Sequence, residues 1–246
     1  MPPMPVMLDL FCGAGGCIKG YQTAGFYVVG VDCQPQSRCC ANRFVQMEAL
    51  TALFVLLDGG EIAGFKLAEF DAIHVSPPCQ GYSVTKSMPW TRGGQGRAPT
   101  LIRPTRDLLV SIGKPFVIEN VVGAPLVSPI MLCGTMFGLK LFRHRLFESN
   151  VFLMQPPHGS HRGLAVGRGG FVCMAGHGDA GRGRIPADHR TVRAWQIASG
   201  IEWMTRAEMT QAIPPAYTMF IGKQLIHLIR GRMSHMGLMG HMRRTD

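Results

Sequence analysis

One cysteine of this sequence stands in a rigid frame, Ser76-Pro77-Pro78-Cys79-Gln80-Gly81-Tyr82-Ser83. The apolar run 71–75 before it reads as a buried strand, so the Cys79 thiol falls just past a strand end, where a nucleophile is accessible. Only a thiolate attacks, and at a pKa near about 8.5 roughly 3% of a thiol is ionised at pH 7. A nucleophilic Cys79 therefore needs cationic neighbours or a helix terminus, and the alternative is a structural cysteine. Further on, Phe116-Val117-Ile118 runs into Glu119-Asn120-Val121. A carboxyl group at a strand end can be kept protonated by desolvation and serve as an acid. In the alternating stretch 141–147, Arg143 and Arg145 sit two apart and project to one face. Paired guanidinium groups suit a phosphate, a thiolate or a carboxylate, or they are simply exposed edge arginines.

A second constellation lies near the start. Asp9-Leu10-Phe11-Cys12-Gly13-Ala14-Gly15-Gly16 places glycines where a strand hands over to a helix, and lets a ligand approach the backbone. Asp32 ends the next apolar stretch, where an acid can accept hydrogen bonds from ribose hydroxyls. The dinucleotide fingerprint needs a third glycine at the position held by Ile18, so a nucleoside cofactor without a pyrophosphate fits better than NAD or FAD. Glu48, after a third stretch, is placed to reach an adenine amino group or is a surface acid.

These residues must be positioned by the elements between them. Apolar stretches at 6–11, 26–31, 71–75 and 116–118 alternate with helical patterns up to Ala24 and over 100–112, which predicts a mostly parallel α/β sheet with helices on both faces. The polar and glycine-proline clusters all fall at the carboxyl ends of those strands, where such sheets bind ligands. The organisation expected is a cofactor-binding and catalytic domain over 1–149, a small loop-rich recognition insertion over 150–189, C-terminal helices over 190–233 and a mobile tail over 234–246. Residues 176–184 are the loosest part of the insertion. A helical pattern spans 192–199, and Pro214-Pro215 opens a helix carrying Tyr217, Phe220, Ile221, Leu225 and Leu228 at helical spacing.

The 246 residues are 46% hydrophobic and 16% charged, which excludes a disordered chain and permits one full-sized core. No apolar run approaches the roughly 18–20 residues of a membrane span. The first residues lack a signal-peptide pattern, and eight cysteines without small-domain spacing read as reduced thiols, so a cytoplasmic protein with no membrane partner is expected. The net charge of +10 is unevenly spread: residues 1–139 carry 10 cations and 9 anions, whereas 140–246 carry 15 and 6, with 13 arginines among those cations. This points to a polyanion partner or to a soluble basic surface. His235 and His241 in the tail are weighed as metal ligands and set aside, and no metal is expected.

The joint order, D-L-F-C-G-A-G-G, an acid at a strand end, P-P-C-Q, E-N-V and R-x-R, resembles the cytosine-C5 DNA methyltransferases. The similarity runs from about Leu8 to Ser149 and resumes near 194–228. The resemblance implies the Rossmann-like sheet of class I methyltransferases and S-adenosyl-L-methionine as cofactor. The cofactor would contact Asp9, Phe11, Cys12, Gly13, Gly15, Gly16, Asp32, Cys33, Glu48, Leu50 and Pro78, with Phe11 against the adenine and Asp32 on the ribose. It further implies double-stranded DNA as partner, with the target cytosine flipped out of the duplex. Cys79 would attack C6, protonated Glu119 would donate to N3, and Arg143 and Arg145 would hold the nucleotide and its phosphate and keep Cys79 ionised.

Departures qualify this. Glu48 replaces the family's usual Asp. Thr210-Gln211-Ala212-Ile213-Pro214-Pro215 lacks the Gly-Asn that normally opens the closing motif. The recognition region is short, which predicts short or relaxed sequence specificity dominated by arginine–phosphate contacts. The small size resembles the compact enzymes encoded by bacteriophages and their hosts, and a monomer is expected. Two other readings stay open, an RNA cytosine methyltransferase of the same family and a catalytically silent nucleic-acid-binding module.

Overall fold

The computed structural model describes residues 4–79, 82, 100–174 and 191–242, with 232–242 as backbone only. Gln80, Gly81 and Ser83 of the cysteine motif, the 176–184 stretch and the side chains of His235 and His241 lie outside the described residues.

Buried β-branched and leucine runs make the sheet. β1 (Val6–Leu10), β2 (Tyr27–Asp32), β3 (Arg43–Gln46), β6 (Ala72–Val75) and β7 (Phe116–Asn120) are parallel, in the order β3-β2-β1-β6-β7. β8 (Ile130–Leu132) and β9 (Arg145–Ser149) complete seven strands, in the order β7-β9-β8, and both of these contacts are antiparallel. A separate hairpin joins β4 (Glu61–Ile62) to β5 (Phe65–Lys66). The sheet is therefore mixed, and its strand order reverses between β1 and β6. Such a reversal is a switch point, and α/β sheets bind ligands in the crevice outside the carboxyl ends of the strands at that point, here β1 and β6.

Period-two alternation divides the core between two faces. Met7, Ala72, Val117 and Phe147 pack with α1 (Gly16–Ala24) and α6 (Pro215–Met242). Leu8, Leu10, Val31, Ile73 and Ile118 pack with α2 (Ala49–Leu57) and α3 (Ile102–Ile112). α4 (Val192–Ser199) and α5 (Arg206–Gln211) form a third cluster, in which Trp195, Ile201 and Met209 surround Ala14 of the glycine turn. Trp203 fixes that turn by donating its indole N–H to the Ala14 carbonyl at 2.8 Å. The C-terminal helices thus return to the cofactor end of the sheet. Among the described residues no helix is long and apolar enough to cross a membrane.

Three elements differ from expectation. The strand predicted over 141–147 begins only at Arg145, because Leu141 instead bridges Val172 and the backbone between is irregular. β7 runs two residues beyond the expected 116–118 stretch, so Glu119 and Asn120 are its last residues. The backbone stays helical to Met242, beyond the start of the expected tail at residue 234.

Close packing of α1 on α6 depends on Gly20. A Cβ there would collide with the Thr218 hydroxyl and the Pro215 carbonyl. The Thr218 hydroxyl donates to the Cys17 carbonyl at 2.8 Å, so it has little freedom to retreat. Gly20→Ala is expected to cost about 1–3 kcal/mol by overpacking, lowering Tm by roughly 2–10 °C in a calorimetric scan; an unchanged Tm would show that the helices separate freely.

Candidate active site

The antiparallel pairing of β9 with β7 brings Arg145 to Glu119. Glu119 lies opposite Phe147, so Arg145, two residues before Phe147, occupies the same face one diagonal away. Arg145 Nε comes within 3.1 Å of Glu119 Oε1. The approach is off the N–H direction, and Oε1 makes no hydrogen bond among the described residues. Glu119 is 6% exposed. Burial raises its pKa, opposed by Arg145, Arg143 and the Ser76 hydroxyl, and burial prevails. The carboxyl is thus biased toward the protonated form that an acid requires.

Cys79 is half-buried at the end of the turn after β6. Asn120 holds this turn by donating from Nδ2 to the Pro77 carbonyl at 2.9 Å, while its Oδ1 accepts from the Val121 amide. The amide of Ser76 adds a bond to the Leu10 carbonyl, and that of Tyr82 adds one to the Cys79 carbonyl. Asn120 was part of a recognised motif, but its locking role depends on β6 and β7 being neighbours. Burial pushes the Cys79 thiol up; Arg145 pulls it down, Glu119 adds to the rise and Arg143 opposes it. The net shift is upward. The arginines therefore oppose burial without outweighing it, short of the ionised thiol expected from the sequence.

The two arginines have different surroundings. Arg143 donates from Nη1 to the Met174 carbonyl at 3.1 Å and from Nη2 to the Thr210 carbonyl at 2.7 Å, and its buried Nε has no partner among the described residues. The Tyr217 hydroxyl donates to the Arg143 carbonyl at 2.6 Å. Burial pulls this guanidinium down to about 9, still charged at neutral pH. Its two terminal nitrogens brace α5 and the loop at Met174, so the phosphate contact expected of Arg143 would have to draw on the N–H groups that these two bonds leave over. Arg145, which donates from Nη1 to the His144 carbonyl, is the arginine beside the carboxyl.

At the cofactor end, Phe11 takes a left-handed backbone (φ 58°) that turns the chain out of β1. Gly15 has φ 89°, where a side chain is disfavoured, and a Cβ there would also press on Cys40 Sγ. Gly13 faces open space. Gly16 fulfils a packing need, since a Cβ on it would strike the Ile213 carbonyl. Asp32 accepts from the Gly13 amide at 2.9 Å and from the Gln34 amide at 2.9 Å. Each carboxylate oxygen retains a lone pair for a further donor.

Asp9 is fully buried, its two oxygens lack a hydrogen-bond partner among the described residues, and burial raises its pKa. Next to it in register, His74 bonds the Tyr21 hydroxyl through Nδ1 and the Ser76 hydroxyl through Nε2. Burial depresses His74 to about 3, so it is neutral.

Cys12, Cys33, Glu48, Leu50 and Pro78 complete the expected contacts. Cys12 is buried with its sulfur 4.0 Å from Cys39 Sγ. Glu48 is exposed and caps α2, its Oε2 accepting from the Thr51 amide at 2.8 Å. Leu50 packs partly into the second core, and Cys33 is exposed just after Asp32. Pro78 is half-buried beside Cys79.

The opposed effects on Cys79 set an expected titration. A raised pKa leaves less thiolate at neutral pH, so alkylation of Cys79 by iodoacetamide, followed by peptide mass spectrometry, should accelerate about tenfold per pH unit from 7 to 9 without levelling. Arg145→Gln removes the larger lowering influence and should slow labelling throughout that range. A plateau below pH 8 would contradict this balance.

Residues 6–125 match the family described as C-5 cytosine-specific DNA methylase. Over 125 residues, 48% of this chain, the sequence is 33% identical to the Type II methyltransferase M.XorII of Xanthomonas oryzae pv. oryzae, and spans 28% of that protein's length. The S. pombe Dnmt2 methyltransferase structure overlays with a TM-score of 0.51 at 11% identity, covering 92% of this chain and 99% of the other. A putative DNA modification methyltransferase encoded within an E. coli prophage is 19% identical over 58% of this chain and 45% of its own, with a TM-score of 0.42. The Dnmt2 overlay and the mixed seven-stranded sheet establish the Rossmann-like methyltransferase fold. Over residues 6–125, which carry its cysteine, glutamate and glycine-turn motifs in order, this chain is similar to the cytosine-C5 DNA methyltransferases.

Proposed function

We propose that the protein methylates C5 of cytosine in double-stranded DNA through a covalent Cys79 adduct. The observation that carries this reading is the convergence of a half-buried thiol, a buried carboxyl with a raised pKa and an arginine beside both at one end of the sheet.

The family implies S-adenosylmethionine, and the residues present fit it. Asp9 offers a buried carboxyl without a partner to an ammonium or sulfonium charge. The N-terminus of α1 has neither a side-chain cap nor an acid in its first turn, leaving its amides for a carboxylate. Gly13 leaves room above the turn, Asp32 keeps acceptor capacity for a ribose, and the Phe11 ring borders the crevice. When bound, this cofactor supplies an electrophilic methyl group.

The chain's own groups do the rest. A cytosine inside a duplex cannot reach Cys79, so the base must be extruded into the crevice. Cys79 thiolate adds to C6 and shifts electron density to C5, making that carbon nucleophilic. Glu119, biased by burial toward its protonated form, donates to N3 as charge develops on the ring. Arg145 stabilises the thiolate before attack and the Glu119 carboxylate after proton donation. Loss of the C5 proton then expels Cys79 and restores the aromatic ring. The arginine-rich second half supplies cations for the phosphate backbone, and its short recognition region suits relaxed sequence reading.

Transfer of labelled methyl groups into genomic DNA, with base-resolution mapping of 5-methylcytosine, tests the activity. Label in DNA and not in tRNA is expected; incorporation into tRNA alone would replace DNA by RNA as substrate. Cys79→Ala should reduce transfer more than about 10³-fold, and Glu119→Gln by about 10²–10⁴-fold. DNA carrying 5-fluorocytosine cannot lose a C5 proton, so it should leave a denaturation-stable adduct on the Cys79 peptide. Methylation that persists in Cys79→Ala would overturn the mechanism.

A further inference from the structure

Beside the crevice four metal-binding side chains converge. Cys133 follows β8, His144 lies between the two arginines, and His158 and His161 belong to the recognition region. Their ligand atoms all lie within 4.8 Å of one another. Cys133 Sγ is 3.5 Å from His161 Nε2, His161 Nε2 is 3.1 Å from His158 Nε2, and His158 Nε2 is 3.3 Å from His144 Nε2. A tetrahedral zinc ion with nitrogens at about 2.0–2.1 Å and sulfur at about 2.3 Å requires N···N separations of roughly 3.3–3.4 Å and N···S of roughly 3.5–3.6 Å. The three contacts fall within a few tenths of an ångström of those values.

Hydrogen bonding does not account for the arrangement. A neutral imidazole Nε2 carries either one proton or one lone pair. His158 Nε2 nevertheless faces two other ring nitrogens, and His161 Nε2 faces His158, Cys133 Sγ and, at 3.3 Å, Thr135 Oγ1. No choice of tautomers turns all these contacts into good hydrogen bonds. A cation accepting one lone pair from each ligand satisfies them together.

The surroundings look built for ligation. Thr135 Oγ1 donates to Cys133 Sγ at 3.3 Å, an outer contact of the kind that steadies a thiolate ligand. Phe142 stacks on Phe171 at 4.6 Å and 4°, and its other neighbour is the His161 ring at 4.6 Å.

We propose that Cys133, His144, His158 and His161 bind one structural zinc ion that fastens the recognition region to the catalytic edge of the sheet. Three imidazoles and one thiolate are a ligand set suited to zinc, and four protein ligands close the site to substrate. On binding, the Cys133 thiol releases its proton to solvent and each imidazole keeps its proton on Nδ1. The ion would fix His144 and, with it, the backbone that carries Arg143 and Arg145. This site is independent of the proposed methyl transfer, and its test reads metal and not activity.

Full-length protein, expressed without a histidine tag and stripped with chelator, is to be titrated with zinc against a competing chromophoric chelator. About one equivalent should bind tightly. His158→Ala, which removes the exposed ligand and spares the core, should weaken binding by more than about 100-fold, as should His161→Ala. The double variant His235→Ala/His241→Ala should bind as wild type does. Cobalt(II) in the stripped protein should give a thiolate-to-metal charge-transfer band that Cys133→Ser lacks. The proposal is overturned if the wild type takes up well under one equivalent, if His158→Ala and His161→Ala bind zinc as tightly as wild type, or if only the His235/His241 variant loses it.

Discussion

Everything at the catalytic edge depends on the reversed direction of β9. A parallel strand beside β7 would present its carboxyl end, with Glu148 and Ser149, to the crevice. Because β9 runs antiparallel, its first residue arrives there instead, and Arg145 meets Glu119 across one diagonal. The same reversal sends Glu148 to the opposite end, where it accepts two bonds from Arg106 of α3, at 2.6 Å and 2.7 Å. One buried ion pair thus anchors the strand at its far end, while the other, imperfectly aligned, remains available to the chemistry.

Burial and charge are set against each other at this edge. Desolvation favours the neutral forms of both Cys79 and Glu119, which is right for an acid and wrong for a nucleophile. Arg145 moves both toward ionisation, so it serves the thiol at some expense to the acid. A flipped base entering the crevice would exclude more water and strengthen each of these interactions. The difference between the arginines follows from geometry: Arg143 bonds two backbone carbonyls, whereas Arg145 is aimed at Glu119.

Much of this was legible in the residues because it is local. Strand ends followed by glycine or proline turns put Phe11, Asp32 and Cys79 at or just past the carboxyl ends of β1, β2 and β6, since hydrophobic runs and turn chemistry are short-range signals. What escaped depends on pairings between distant segments. The lock between Asn120 and Pro77 exists only once β6 and β7 are adjacent, and no spacing announces it. Glu48 reads from the sequence as an adenine contact or a surface acid, and the fold adds a helix cap, its Oε2 accepting from the Thr51 amide. Of Cys133, His144, His158 and His161 only the last two stand close in sequence, three residues apart, and the fold alone brings Cys133 and His144 to them.

The fastening of the glycine turn by Trp203 has a consequence for biosynthesis. Ala14 emerges from the ribosome nearly two hundred residues before the indole that holds its carbonyl, a sequence separation of 189. The β1 face that receives Tyr217, Ile221 and Leu225 likewise waits for the last helix. A nascent chain must therefore keep an oily surface uncovered until residues 217–225 emerge, at risk of sticking to its neighbours. Its glycine turn gains this brace only once Trp203 has been made, so a product ending before that residue would lack it.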